Sequence, residues 1–147
     1  MAYAGHIEKQ TLKNNYFRHV IFTGKHAQLV LMSLKPSEEI GNEVHKKVDQ
    51  FFRIEQGEAK FVLNQKNPGV FRVLGNAKHF RQNGKEKHIA GNGDAVIVPA
   101  GTWHNVINNS KTKKLKMYTI YSPPNHPDKT IHKTKADAEK AEKTEHH

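Results

Sequence analysis

The strongest constraint on the fold is the stretch GDAVIVPAGTWHNVIN at residues 93–108. Within it, Ala95–Val98 is short, apolar and β-branched, and Pro99 ends this predicted strand because proline has no N–H to donate. Gly101 supplies the backbone freedom of a tight turn, and a second strand follows. His104 falls on that second strand beside apolar residues of the same face. A histidine in this position is either a buried, hydrogen-bonded residue or a metal ligand.

The spacing within this stretch resembles the second signature of the cupin family. That signature is a glycine, five residues, a proline, one residue, a glycine, two residues, a histidine, three residues and an asparagine. Its members here are Gly93, Pro99, Gly101, His104 and Asn108. In cupins, the histidine at the position of His104 ligates a metal inside a small barrel. The resemblance covers residues 28–121 and is closest to small single-domain barrels labelled as similar to mannose-6-phosphate isomerase. It implies an all-β fold, a cupin jelly-roll β-barrel.

Residues 41–57 resemble the first cupin signature, which has two histidines one residue apart, then a glutamate and a closing glycine. Counting back from Gly57 places Gln50 at the glutamate position. His45 then stands at the second histidine position and Glu43 at the first. The resemblance implies a metal site made of two imidazoles, one carboxylate and one amide oxygen: Glu43, His45, Gln50 and His104.

Alternation along the next strand discriminates between two inward polar groups, Asp49 and Gln50. If Gln50 faces inward, Phe52 accompanies it and Arg53 faces solvent. If Asp49 faces inward, Arg53 is carried into the core, which is costly without a partner. The pattern favours Gln50, although a bulge at the preceding corner would reverse the assignment.

Imidazole and carboxylate ligands suit a divalent transition metal such as Zn, Fe, Mn or Ni. Two histidines and one carboxylate are also the ligand type of non-haem iron oxygenases, which leave positions open for substrate. Gln50 is a poorer ligand than a carboxylate. The alternative is therefore a metal-free barrel whose inward polar residues hydrogen-bond to one another.

Cupin barrels host isomerases, dioxygenases, decarboxylases and non-catalytic sugar binders, so the resemblance alone selects no reaction. We expect a metal-dependent enzyme acting on a small anionic substrate, specifically a sugar-phosphate isomerase. Glu43 and His104 are the expected catalytic residues, and Glu43 or a nearby histidine would move a proton. The alternatives are a non-catalytic, sugar-binding barrel and a non-haem metal dioxygenase.

Composition restricts the partners and the compartment. The chain has 147 residues, enough for one domain, and no cysteine, which excludes disulfides and fits a reducing compartment. Charged residues interrupt its N-terminal segment, and we expect a cytoplasmic protein with no membrane segment. The net charge of +10 comes with no nucleic-acid-binding motif. We therefore expect a solvated basic surface and a small anionic ligand rather than nucleic acid.

The chain divides into a predicted barrel at residues 1–125 and an extended arm with a short C-terminal helix at 126–147, on the surface or partly disordered. The spacing of Thr134 and Asp137 is typical of a capping box at the start of that helix. The first 15 residues predict an edge strand or a short helix. A homodimer is expected, because this segment could pair with a neighbour's sheet edge.

A strand is predicted for the segment that carries Glu43 and His45, because two residues one apart project from the same face of a strand. The other strand candidates are residues 17–22, 28–34, 50–55, 59–63, 70–74, 85–89 and 115–121.

Four other histidines could be either solvated surface residues or part of a functional site. His79 and His88 lie in a polar region and are predicted to be solvated. His126 and His132 lie in or beyond the arm, and a surface position is favoured for both. One of them could instead return across the barrel mouth as an acid–base group or substrate contact. Three aromatic residues are predicted to pack rather than to line a pocket: Trp103, Tyr118 and Tyr121.

Overall fold

Two antiparallel β-sheets form the body of the protein in a computed structural model that describes residues 1–64, 78–82 and 85–145. The strands are β1 (Arg18–Thr23), β2 (Gln28–Leu34), β3 (Asp49–Gln56), β4 (Ala59–Asn64), β5 (Lys78–Gln82), β6 (Lys85–Ala90), β7 (Ala95–Val98), β8 (Trp103–Asn108), β9 (Leu115–Ser122) and β10 (Ile131–His132). One sheet has the strand order β10-β1-β2-β9-β3-β7 and the other β5-β6-β4-β8. The predicted all-β jelly roll is confirmed.

Two helices flank the sheets, α1 (Ile7–Lys13) and α2 (Lys135–Glu145). The N-terminal segment is thus a short helix rather than an edge strand. The predicted capping box starts α2: the Asp137 N–H donates to Thr134 Oγ1 at 3.1 Å, and the Thr134 N–H donates to an Asp137 carboxylate oxygen at 3.3 Å. In the described part of the chain, neither helix has the length and apolar character needed to cross a lipid bilayer.

The core lies between the two sheets. In β3 the side chains alternate, so that Gln50, Phe52 and Ile54 are buried while Asp49 is exposed, as the sequence predicts. The ring of Phe52 meets the ring of Phe61 from β4 edge-on, with centroids 5.1 Å apart. This aromatic pair joins the two sheets directly, because β3 and β4 belong to different sheets.

Three predictions about individual residues are wrong. The segment holding Glu43 and His45 is not a strand, because it makes only an isolated bridge, between Glu43 and His104, before turning at 46–47. His88 is buried rather than solvated, since the alternation of β6 turns it and Glu86 inward, with 3.5 Å between imidazole and carboxylate. Trp103 is 43% exposed because its neighbour His104 takes the inward position.

The C-terminal arm runs back along the barrel. Gln28, fully buried on β2, accepts hydrogen bonds from the N–H groups of Asn125 and His126 at 3.0 and 2.9 Å. Its amide nitrogen donates to the carbonyl of His126 at 2.7 Å. Further on, β10 pairs with β1, and Ala138 of α2 is buried in the core cluster. One buried amide therefore fixes the start of the arm.

Two predictions fall outside the described residues: the strand at 70–74 and the solvation of the His79 side chain. The division of the chain at residue 125 stays a prediction.

Replacing Asn108 should test how the end of β8 is held. Its buried amide nitrogen donates to three carbonyls, of Leu34, Lys35 and Lys113, at 2.8 to 3.2 Å. We expect Asn108→Ala to lower the free energy of unfolding by about 3 kcal/mol, because buried carbonyls lose their donors. Urea unfolding followed by circular dichroism measures this.

The neighbouring Asn109 provides the control. It is exposed and donates to Glu58 at 2.7 Å, so Asn109→Ala should cost less than about 1 kcal/mol. Equal losses in the two variants would contradict the role given to Asn108.

Candidate metal centre

Backbone hydrogen bonds position the first two site residues. The segment at 41–48 lies against β8, where Glu43 and His104 exchange two hydrogen bonds: N–H of Glu43 to O of His104 at 2.8 Å, and the reverse at 2.9 Å. The N–H of Gly101 donates to the carbonyl of His45 at 2.9 Å. Gly101 has a φ of +81°, a conformation that favours glycine and aims this N–H at the segment. The irregular segment is thereby held in register with β8.

Glu43, His45 and His104 converge on one point. Their candidate ligand atoms all lie within 4.8 Å of one another. One carboxylate oxygen of Glu43 is 3.3 Å from His45 Nε2 and 3.5 Å from His104 Nε2. The two imidazole rings are 5.5 Å apart between centroids. A single small cation could contact all three side chains.

His104 is oriented as metal-bound histidines usually are. Its Nδ1 lies 2.9 Å from the carbonyl of Thr102, so the ring proton resides on Nδ1 and the lone pair on Nε2. That Nε2 atom is buried and, within the described residues, has no hydrogen-bond partner. Since a buried nitrogen without a partner is costly, the geometry fits a coordinated ion.

The two histidines of the site determine the charge state of Glu43. Burial alone would raise the pKa of its carboxyl group. The approach of its carboxylate to the imidazole nitrogens of His104 and His45, at 3.5 and 3.3 Å, outweighs burial, so the pKa lies well below its usual range. Glu43 is therefore a carboxylate across the neutral range, as a metal ligand must be.

Gln50 faces the interior, and its role as a fourth metal ligand stays a prediction. It is 1% exposed and its amide nitrogen donates to Thr119 Oγ1 at 2.9 Å. Its amide oxygen is buried with no hydrogen-bond partner in the described part of the chain. Gln50 is directly opposite Tyr121 in the sheet, so both side chains point into the barrel.

Two residues that the sequence analysis did not favour as site residues, Tyr121 and His126, lie beside it. The ring of Tyr121 stands edge-on to His45, with centroids 5.6 Å apart, and its hydroxyl is 3.1 Å from His126 Nε2. Tyr121 thus borders the site as well as packing in the core. Burial, followed by the charge of Arg18, lowers the pKa of His126 to about 3, although Glu43 acts in the opposite sense. His126 is therefore neutral at neutral pH.

The other assigned residues lie elsewhere. His132 Nδ1 is 3.2 Å from a guanidinium nitrogen of Arg18 rather than near the three convergent residues. Tyr118 is only partly buried and its ring lies 6.1 Å from that of Phe51. The sequence feature that could have predicted Tyr121 as a residue of the site is its position on the inward face of β9. No local sequence pattern predicted that Arg18 is buried.

The donor set fits a divalent transition metal. Two imidazoles and one carboxylate are suitable ligands, and the buried Nε2 of His104, which makes no hydrogen bond within the described residues, faces the position that an ion would take. Glu43, His45 and His104 would hold the ion.

Comparison with known sequences agrees with this architecture. A family model described as "Cupin domain" matches residues 69–121. The chain is 47% identical over 138 residues to the uncharacterized protein YrkC of Bacillus subtilis (strain 168), covering 92% of this chain and 65% of that protein. It is 46% identical over 125 residues to the uncharacterized protein L612 of Acanthamoeba polyphaga mimivirus, covering 85% and 68%. The chain thus spans about two thirds of the length of these curated relatives.

Among solved structures, the crystal structure of BH2720 from Bacillus halodurans is similar to this chain along almost its whole length. The two are 35% identical, with a TM-score of 0.78 and 95% of each chain covered. The two-sheet barrel and the convergence of Glu43, His45 and His104 agree with the cupin domain match. Residues 69–121 therefore match the cupin domain model, and the described chain has the two-sheet barrel of the cupin fold.

Proposed function

We propose that the chain is a metal-dependent enzyme that acts on a small anionic substrate, with sugar-phosphate isomerisation as the specific reaction. The observation that carries the metal dependence is the buried Nε2 of His104, which makes no hydrogen bond within the described residues and lies 3.5 Å from the carboxylate of Glu43. The basic composition of the chain, with a net charge of +10, supports an anionic substrate.

In this proposal, the residues of the site have two tasks, metal binding and proton transfer. Glu43, His45 and His104 hold the ion, which when bound polarises a carbonyl or hydroxyl oxygen of the substrate. An isomerase must also move a proton between neighbouring carbons, which requires a base that is unprotonated before the reaction. Glu43 is unprotonated at neutral pH and could accept this proton, although its lowered pKa makes it a weak base.

His126 is a second group that could accept the proton in this proposal. It is neutral at neutral pH, since its pKa is lowered to about 3 by burial and by Arg18. Its Nε2 is 3.1 Å from the hydroxyl of Tyr121, and that ring contacts His45. A proton could therefore pass between the substrate and His126 through the Tyr121 hydroxyl.

A second candidate is a non-haem metal dioxygenase. Two histidines and one carboxylate leave several metal positions open, which oxygen chemistry requires. A non-catalytic sugar-binding barrel is the third. A homodimer and a cytoplasmic location remain part of the proposal, and light scattering after size-exclusion chromatography tests the dimer.

Loading the purified protein with Zn, Fe, Mn or Ni and assaying activity separates the three candidates. An isomerase interconverts aldose and ketose phosphates without consuming oxygen. Oxygen uptake would favour the dioxygenase. Sugar binding without turnover, measured by calorimetry, would favour the binding barrel.

Removing one imidazole should remove the metal. We expect about one equivalent of a divalent metal per wild-type chain after loading and dialysis, and little in His104→Ala. Elemental analysis by mass spectrometry measures both. His26→Ala removes an exposed histidine and should retain wild-type metal content.

Equal metal content in the wild type and in His104→Ala would contradict the site, whatever the amount. Loss of metal from His26→Ala as well would show that surface histidines bind it.

Restoring the glutamate of the first cupin signature should strengthen the site. Gln50→Glu replaces a buried amide oxygen without a partner by a carboxylate oxygen. We expect Gln50→Glu to bind divalent metal on the order of tenfold more tightly, measured by competition with a chelating dye. Unchanged affinity in a folded variant would show that residue 50 does not reach the ion.

The burial of His126 should appear in the pH dependence of stability. Its folded pKa of about 3 lies below the ordinary value of 6.5, so between these values the unfolded chain binds a proton that the folded chain does not. Stability contributed by the neutral histidine is therefore present above the ordinary value and is lost as pH falls, by at most about 1.4 kcal/mol per pH unit.

Urea unfolding of the metal-free protein from about pH 6 down to about pH 4 measures this slope. We expect His126→Gln to show a shallower slope than the wild type. Parallel slopes would mean that His126 is accessible to protons in the folded chain. His26→Gln controls for the loss of an exposed histidine.

A further inference from the structure

A buried arginine lies on the inner face of β1. Arg18 is 1% exposed and is paired in the sheet with Met32 of β2, which is fully buried. The alternation of β1 turns Arg18 and Val20 inward. A guanidinium cannot lose its proton at any ordinary pH, so Arg18 brings a permanent positive charge into the interior.

This positive charge is poorly balanced. Arg18 Nε is buried without a hydrogen-bond partner in the described residues. One terminal nitrogen is 3.2 Å from His132 Nδ1, and the same nitrogen is 3.7 Å from a carboxylate oxygen of Glu142, beyond hydrogen-bond distance. A buried guanidinium normally forms a two-pronged pair with a carboxylate or phosphate. Within the part of the chain that the structure describes, Arg18 forms no such pair, and the ring of Phe17 lies 5.4 Å from its guanidinium carbon.

The carboxylate that approaches Arg18 is partly exposed and lies near the C-terminal end of a helix. Glu142 is in the last turns of α2, where the helix dipole disfavours a negative charge, and its side chain is 43% exposed. Ala138, one turn earlier on the same helix face, is buried in the core. The helix can therefore stay docked through Ala138 while Glu142 turns away into solvent.

Arg18 is close to the proton-transfer side of the candidate site. Its charge contributes, after burial, to the lowered pKa of His126, whose Nε2 is 3.1 Å from the Tyr121 hydroxyl. Tyr121 in turn contacts His45. The charge of Arg18 therefore acts on His126, and contacts through Tyr121 join His126 to His45.

We propose that Arg18 binds the anionic group of the substrate, a phosphate or a carboxylate, and that Glu142 occupies this position until the substrate displaces it. The proposal rests on the proposed function, because it assigns the two ends of one substrate: the anionic end to Arg18 and the reacting end to the metal centre. Two oxygens of a phosphate or carboxylate satisfy Nε and a terminal nitrogen together, which Glu142 at 3.7 Å does not.

Neutralising Glu142 tests the displacement directly. If its carboxylate competes with the ligand, Glu142→Gln should bind inorganic phosphate about fivefold more tightly than the wild type, as expected for loss of a partly exposed ion pair. Isothermal titration calorimetry on the full chain, at constant ionic strength in chloride, gives the dissociation constant. Acetate in place of phosphate shows whether the site prefers a carboxylate.

The matched control is Glu139→Gln on the same helix. Glu139 is exposed and pairs with Lys135 at 3.9 Å, so this variant removes the same charge without touching Arg18. We expect its phosphate affinity to equal that of the wild type. Equal affinities in all three proteins would overturn the proposal, because they would show binding by the general basic surface.

Arg18→Met should lose phosphate binding, and Arg18→Lys should retain part of it. If Arg18→Met does not fold, the comparison of Glu142→Gln with Glu139→Gln decides the question by itself. Metal content measured on the same samples keeps the two proposals separate. Normal metal content with no effect of Glu142→Gln would contradict the anion site alone, whereas tighter phosphate binding without metal would contradict the metal centre alone.

Discussion

The candidate site depends on two backbone hydrogen bonds, those that Glu43 and His104 exchange at 2.8 and 2.9 Å. The segment at 41–48 has almost no regular structure of its own, so its position is determined by this bridge and by the Gly101 N–H on His45. Backbone bonds of this kind do not depend on side-chain identity. They bring a carboxylate between two imidazoles and leave the side chains free to bind.

The interior of the barrel is electrostatically divided. On one side the carboxylate of Glu43 stays charged, because two imidazoles outweigh the effect of burial on its pKa. On the other side Arg18 is a permanent cation, and His126 is held neutral. A substrate with one anionic end and one oxygen-rich end would match this arrangement in a single orientation. The barrel therefore places a negative group and a positive group at different positions in its interior.

The sequence predicted the elements whose signals are local. Pro99 and Gly101 located the turn before β8, and alternation in β3 correctly turned Gln50 inward. The segment of Glu43 and His45 was predicted as a strand because two polar residues one apart look like alternation. It is a loop that keeps the two side chains on the same side. The spacing of the two cupin-like signatures was sufficient to predict the fold, but it did not predict the backbone conformation of this segment.

The residues around the site that were missed are joined by contacts distant in sequence. Arg18 meets His132 and Glu142, which come from the opposite end of the chain, and no periodicity within β1 indicates such partners. His126 is fixed by the amide of Gln28, which binds only main-chain atoms of the arm. Residue 126 can consequently change in evolution without altering the path of the arm, so a single substitution there could give the same barrel a different chemistry.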